Sequence, residues 1–149
     1  GFYPSDGQAN AVNDSNQIVG YSRTAIGTKH AFRWTEADHI KDLGLLPGGI
    51  DSEARGINNA GWVVGTGSTD LTGDPTKYRA FLWTQAGGMQ DLNSLVVNLP
   101  PDVKLIAANA VSNRGEITGN TINFNEYTRK PFRLIPLGNP QAASPLLLD

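Results

Sequence analysis

The sequence predicts an all-β protein of three repeated four-stranded antiparallel units, β-propeller-like in type, and three observations carry that prediction. The first is an internal repeat. The stretch Ala54-Arg55-Gly56-Ile57-Asn58-Asn59-Ala60-Gly61-Trp62-Val63-Val64-Gly65 is echoed by one opening at Ala9 and closing at Gly20, and by another opening at Ala108 and closing at Gly119. The openings lie 45 and then 54 residues apart, in or just beyond the period range of repeat architectures. The second is an aromatic segment that recurs downstream of each opening: His30-Ala31-Phe32-Arg33-Trp34, Arg79-Ala80-Phe81-Leu82-Trp83 and, more weakly, Lys130-Pro131-Phe132. The third is composition, because 17 Gly and 9 Pro among abundant Asn, Asp, Ser and Thr supply turns rather than long helices.

Taken in order, residues 1–7 read as the closing strand or turn of a preceding unit. Residues 9–13 and 17–22 alternate across the turn-forming run Asn13-Asp14-Ser15-Asn16 and predict a hairpin. Strands follow at 29–34 and 40–43, which makes four per unit. The second unit repeats the plan with a hairpin over 54–67 and strands at 78–84 and 89–92, and its central loop over 68–77 is longer. The third has a hairpin over 105–121 and a strand near 131–135. There Leu134 stands where the other copies have Trp34 and Trp83, and the proline-punctuated tail with Pro136, Pro140 and Pro145 is left to supply a last edge strand or lie along the surface. The chain is one repeat domain, with units of about 7–50, 51–100 and 101–149.

Four short strands per unit of about 50 residues suit a propeller blade. Blades are sealed by their neighbours, so three make an arc with two exposed flanks. Two copies would give six blades about a two-fold axis, and a homodimer is the expectation that follows.

The recurring residues read first as structure. Asn13 and Asn58, with Ser112 in the third copy, enter hairpin turns and satisfy nearby backbone groups. Gly20, Gly65 and Gly119 mark close backbone approach or a positive φ. Phe32, Phe81 and Phe132 are core wedges between units, and Trp34 and Trp83 lie two residues on along the same strand face. A basic residue precedes each aromatic pair, and Asp42 and Asp91 recur on the fourth strand, so a salt bridge within each unit is expected. Trp62 aligns with the polar Gln17 and Glu116 and is therefore expected to face solvent or a partner.

Net charge of −2 and scattered Lys and Arg exclude a nucleic-acid surface, and no apolar run reaches the ~20 residues that cross a bilayer. With no cysteine, thiol chemistry and thiolate metal sites have no candidates, and with only His30 and His39 and no Gly-x-Ser-x-Gly elbow hydrolase triads have few. The loop with Asp70 and Asp74 lacks calcium-loop spacing, so no metal and no cofactor is expected. Contact candidates are Trp62, Asp70, Asp74, Phe124 and Tyr127, the last four in the lengthened loops where recognition usually sits.

The two His/Arg-Ala-Phe-x-Trp segments, each preceded by an Ala-rich hairpin ending in Asn and followed by Asp-Leu, resemble the bacterial HAF extracellular repeat family. That resemblance implies a propeller-like protein that is secreted or held at the cell surface, and it hands over no catalytic residues. Residues 1–7 carry no charged-then-apolar leader. The functional expectation is a secreted, non-enzymatic binding or scaffolding module that presents loops to glycans or proteins. The alternative is a carbohydrate-active hydrolase or lyase using carboxylates such as Asp70, Asp74 or Glu126.

Overall fold

A computed structural model describes residues 2–138 and 145–149, so Gly1 and Pro140 of the two predicted chain ends lie outside the described residues. Among the described residues, twelve strands form three antiparallel sheets. Sheet 1 holds β1 (Phe2–Val12), β2 (Ile18–Thr24), β3 (Lys29–Thr35) and β4 (His39–Asp42) in chain order. Sheet 2 holds β5 (Ser52–Ile57), β6 (Val63–Ser68), β7 (Tyr78–Thr84) and β8 (Gly88–Asp91) in the same order. Sheet 3 holds β9 (Val103–Val111), β10 (Ile117–Asn123), β11 (Thr128–Pro136) and β12 (Leu146–Leu148), again in sequence order. The tail therefore supplies the missing fourth strand, and β12 is flanked on its other side by a parallel bridge from Val96 to Leu146.

The register repeats as closely as the sequence does. In each first strand a residue is skipped at the equivalent place: Asn10 between the pairs Ala9–Gly20 and Ala11–Val19, Arg55 between Ala54–Gly65 and Gly56–Val64, Asn109 between Ala108–Gly119 and Ala110–Thr118. The bulge brings a carbonyl of the first strand onto the recurring glycine. A Cβ built on Gly20, Gly65 or Gly119 would lie 1.8, 2.0 or 2.0 Å from the oxygen of Gln8, Glu53 or Ala107. Close approach is thus the reason for glycine at these three sites, since any side chain there collides with backbone.

The sheets stack into an open arc, sheet 1 on sheet 2 and sheet 2 on sheet 3, with β5 and β9 at the joints. Residues paired in register share a face. The face of sheet 1 with Val19 and Ala31 meets the face of sheet 2 with Val63, Phe81 and Trp83, and Leu43, Leu46 and Ala54 complete that core. The opposite face of sheet 2, with Val64, Ala80 and Leu82, meets Leu105, Ile117, Phe132 and Leu134 of sheet 3. Phe81 and Phe132 are the expected wedges. Phe32 is buried too, but belongs to neither joint.

One expected interaction does not recur. His30 Nδ1 lies 2.8 Å from Asp42 Oδ2, a staple within sheet 1. In sheet 2, however, Arg79 donates to the carbonyls of Thr76 and Tyr78, and in sheet 3 Lys130 pairs with Glu126. What Asp42 and Asp91 share is a turn: their Oδ1 atoms accept the backbone N–H of Gly44 and Asn93, each two residues on, at 2.8 and 2.9 Å. A short carboxylate capping its own turn explains the repeat better than a cation partner does.

Candidate functional site: the loop end of the arc

The two ends of the sheets do different things. At one end the hairpin turns stack and bind each other. Asn13 Oδ1 accepts from Ser15 and Gln17, Asn58 Oδ1 accepts from Trp62, and the Ser112 hydroxyl accepts from Arg114 and Glu116. The amide nitrogen of Asn13 then donates to the Asn58 carbonyl at 3.0 Å, and that of Asn58 to the Ser112 carbonyl at 3.0 Å. Each Asn holds its own turn with the oxygen and the next sheet with the nitrogen, so both sides of the amide are engaged in the fold.

The other end carries the β2–β3, β6–β7 and β10–β11 loops. Each presents a large apolar residue to solvent: Ile26, Leu71 and Tyr127 are 86%, 73% and 87% exposed. Tyr127 also has φ of 52°, a left-handed backbone that a bulky residue rarely adopts. Exposed apolar tips at matching places in three successive sheets are unlike singly scattered surface residues.

Beside these tips a cleft of about 660 Å³ is lined by residues of all three sheets. Lys29, Arg55, Arg129 and Lys130 contribute four cations, against the two carboxylates Asp51 and Glu53. Glu53 lies 3.5 Å from Arg55, Lys130 lies 3.6 Å from Glu126, and Asp51 accepts the backbone N–H of Lys29 at 2.7 Å. Tyr78 and Pro75 give the wall flat apolar surface. Burial pushes the Tyr78 phenol above its ordinary value, and the negative charges of Asp51 and Glu53 push it the same way, so it stays a neutral donor at any physiological pH. Lys29 sits 4.2 Å above the Tyr21 ring, which holds its stem along sheet 1.

Of the sequence-predicted contact residues, the loop of Asp70 and Asp74 borders the cleft through Gly73 and Pro75. Both carboxylates are engaged in that loop's own geometry. Asp70 accepts from the backbone and hydroxyl of Thr72, while Asp74 caps the short 3-10 turn Pro75–Lys77. The Thr76 backbone N–H and hydroxyl hold the Asp74 carboxyl below the usual carboxylate range. Tyr127 is exposed at its loop tip, and Phe124 in the same loop is half-buried, its N–H bonded to the Asp102 carbonyl.

Trp62 is a correction. It is 6% exposed and packs into the joint between sheets 2 and 3 with Val64, Leu82 and Leu134. The residues aligned with it, Gln17 and Glu116, are half-buried at the turn rim. Sheet 3 gives the Trp62 indole an apolar bed, and an aromatic of that size gains more from it than from water. Sequence reasoning missed Ile26, Leu71, Tyr78 and the basic set around Arg129. The signal was there: each tip follows the second strand of its unit by a similar count, although the loops differ too much in length to align.

Among the described residues, no group of three or more His, Asp or Glu side chains is placed to hold a metal ion, and no helix is long and apolar enough to cross a membrane. An open arc of repeated four-stranded sheets, stitched at one end and carrying a cleft at the other, defines a propeller-like repeat module. Residues 3–129 match the model of a family described as "Protein of unknown function (DUF3466)", and the chain belongs to that family. The match spans sheets 1 and 2 and the first hairpin of sheet 3. No curated protein and no solved structure matches the chain.

Proposed function

We propose that the protein is a non-enzymatic binding module that works outside the cell, and that its loop end docks an acidic segment of a partner protein. The observation that carries this reading is the placing of three exposed apolar tips beside a cleft with four cations and two carboxylates. Apolar anchors beside a cleft in which cations outnumber carboxylates suit a protein segment that supplies both apolar side chains and carboxylates. An acidic glycan would satisfy the cations and leave Ile26 and Leu71 in water. The extracellular placing is supported by the HAF-like segments. The non-enzymatic reading is supported by the carboxylates: Asp70 and Asp74 are spent on turns and Glu126 on Lys130, so none is poised as a general acid or base.

The test is binding of the 149-residue chain to arrays of immobilised acidic peptides and of neutral and acidic glycans. Saturable peptide binding that weakens with salt, and that falls on the order of tenfold in Arg129→Glu, is the expected result. Binding confined to glycans, or insensitive to both salt and Arg129→Glu, would sink the reading.

A further inference from the structure

Sheet 1 keeps an apolar row on the side that no other described sheet covers. Val12, Ile18, Trp34 and Ile40 stand opposite one another across all four strands. Val12 is 62% and Ile40 46% exposed, with Ile18 and Trp34 half-buried. The matching row of sheet 2 is Ile57, Val63, Trp83 and Met89, and it packs into the core shared with sheet 1. That of sheet 3 is Val111, Ile117, Leu134 and Leu148, and it packs into the core shared with sheet 2. The same row is buried twice and open once.

The far face of sheet 3 is of another kind. Its row is Ala110, Thr118 and Arg133, all exposed, and Arg133 is held by Glu116 and Asp149 at 3.0 and 2.9 Å. Polar outer faces of this kind close repeat arrays. Hydrogen bonding shows the same asymmetry. Each joint is crossed by an Asn amide of the earlier turn donating to a carbonyl of the later one, and by a backbone N–H of the earlier turn donating to a side-chain oxygen of the later one: Asp14 to Asn59, then Asn59 to Asn113. Ser112 has no amide nitrogen, so the series ends at sheet 3. At sheet 1 the Asn13 carbonyl and the Asp14 carboxylate occupy the two receiving positions; the first accepts the Asn16 N–H of its own turn and the second the Asn59 amide through Oδ2, and no earlier turn among the described residues donates to either.

We propose that the exposed row of sheet 1 is the docking surface for a further sheet of this same repeat type, one with an Asn at its first turn and a Val- and Ala-lined facing side, joined in the chain order of the two existing joints. The interface is continuous in kind with both of those joints. A second copy of the chain is a poorer occupant. Head to tail, it would lay Thr118 and Arg133 on Trp34; face to face, it would bring two sets of acceptors together without a donor. The six-unit ring of two copies is disfavoured on the same grounds.

The chain has no cysteine, so a single Ile40→Cys gives a thiol whose labelling rate reports cover on this row alone. The unextended variant should label fast and run as a monomer in light scattering. Extending it ahead of residue 1 with a cysteine-free duplicate of residues 1–50 should slow labelling at least tenfold, and an Ile26→Cys control at the loop end should stay fast. Asn13→Ala in the duplicate alone should restore part of the rate. A second extension, residues 51–100, guards against one duplicate failing to fold. Labelling that stays fast in both extended chains would overturn the proposal. So would slow labelling of the unextended chain that tracks dimer formation on concentration.

Discussion

The two joints of the arc share their hydrogen-bond stitch and most of their apolar rows, and they differ at one facing pair in the middle. Where sheet 2 sends Leu82 into the joint with sheet 3, sheet 1 sends Arg33 into the joint with sheet 2. Both are buried, Leu82 wholly and Arg33 to 7% exposure. The guanidinium lies 5.0 Å from the Trp83 ring centre, Lys41 lies 5.6 Å from the same ring, and Asp38 is 3.6 Å from an Arg33 terminal nitrogen. Arg33 Nε has no hydrogen-bond partner. In the other joint the facing residue is Leu134 in place of a Trp. The aromatic therefore stands where a cation faces it, and the leucine where a leucine does. What looks in sequence like erosion of the third copy is complementarity to Leu82.

The largest effect follows from breaking that match. Leu82→Arg puts a cation among the apolar side chains of that joint, facing Leu134 where Arg33 faces Trp83, and a buried unpaired charge costs about 3–5 kcal/mol. Equilibrium urea unfolding should show that loss. Adding Leu134→Trp should return ~1–2 kcal/mol of it, the cation–π worth of a desolvated pair. A purely additive double mutant would mean that the pairing carries no energy.

Asn58→Ala comes next. Asn58 holds the Trp62 N–H and the Ser112 carbonyl, and it is buried; without it the Trp62 N–H loses its partner and the Ser112 carbonyl keeps only the Gly115 N–H, a loss of about 1–3 kcal/mol in all. Asn58→Ser should recover the turn without the stitch, as Ser112 does, and fall between. Converting the first joint into the second is smaller and of opposite sign. Arg33→Leu removes the unpaired Nε and should stabilise by ~1 kcal/mol, because buried ionic groups are often improved by apolar replacements. A loss of stability in that variant would show that the Trp83 stack outweighs the desolvation of Arg33.

The sequence made the fold legible because its repeat and its strand period agree. Ala9, Ala54 and Ala108 set the units, and the alternation around Val63 or Phe81 sets the faces. It did not tell that Trp62 is buried, because alignment with Gln17 and Glu116 carries turn position and not the path of a long side chain. The Asn turns were read as local devices, which they are. Their second use, across the joint, depends on how far apart two sheets stack, and one turn's sequence does not encode that. The loop end was the least legible. Asp70 and Asp74 drew attention as carboxylates and serve their own loop, while Arg55, Tyr78 and Arg129 converge only because three sheets stack in register.

The smallest expected effect concerns the third member of the Arg33 and Leu82 series, Arg133, which faces water. Its charge is met by Glu116 and Asp149 on the surface, as Arg33's is met by Trp83 in the joint. The Arg133 hydrogen bond lowers the Glu116 carboxyl from its ordinary 4.5, so the folded chain binds that proton less readily than the unfolded chain. The resulting stability is present above 4.5 and is lost as pH falls through the lower, folded value. Glu116→Gln removes this contribution to the acid limb. Urea midpoints measured from pH 7 down to pH 3 should fall less steeply in the variant than in the parent, with little difference between them at neutral pH, where an exposed pair is well screened. Parallel curves would mean that Asp149 alone suffices for Arg133, and that the outer face of sheet 3 is closed by shape and solvation more than by charge.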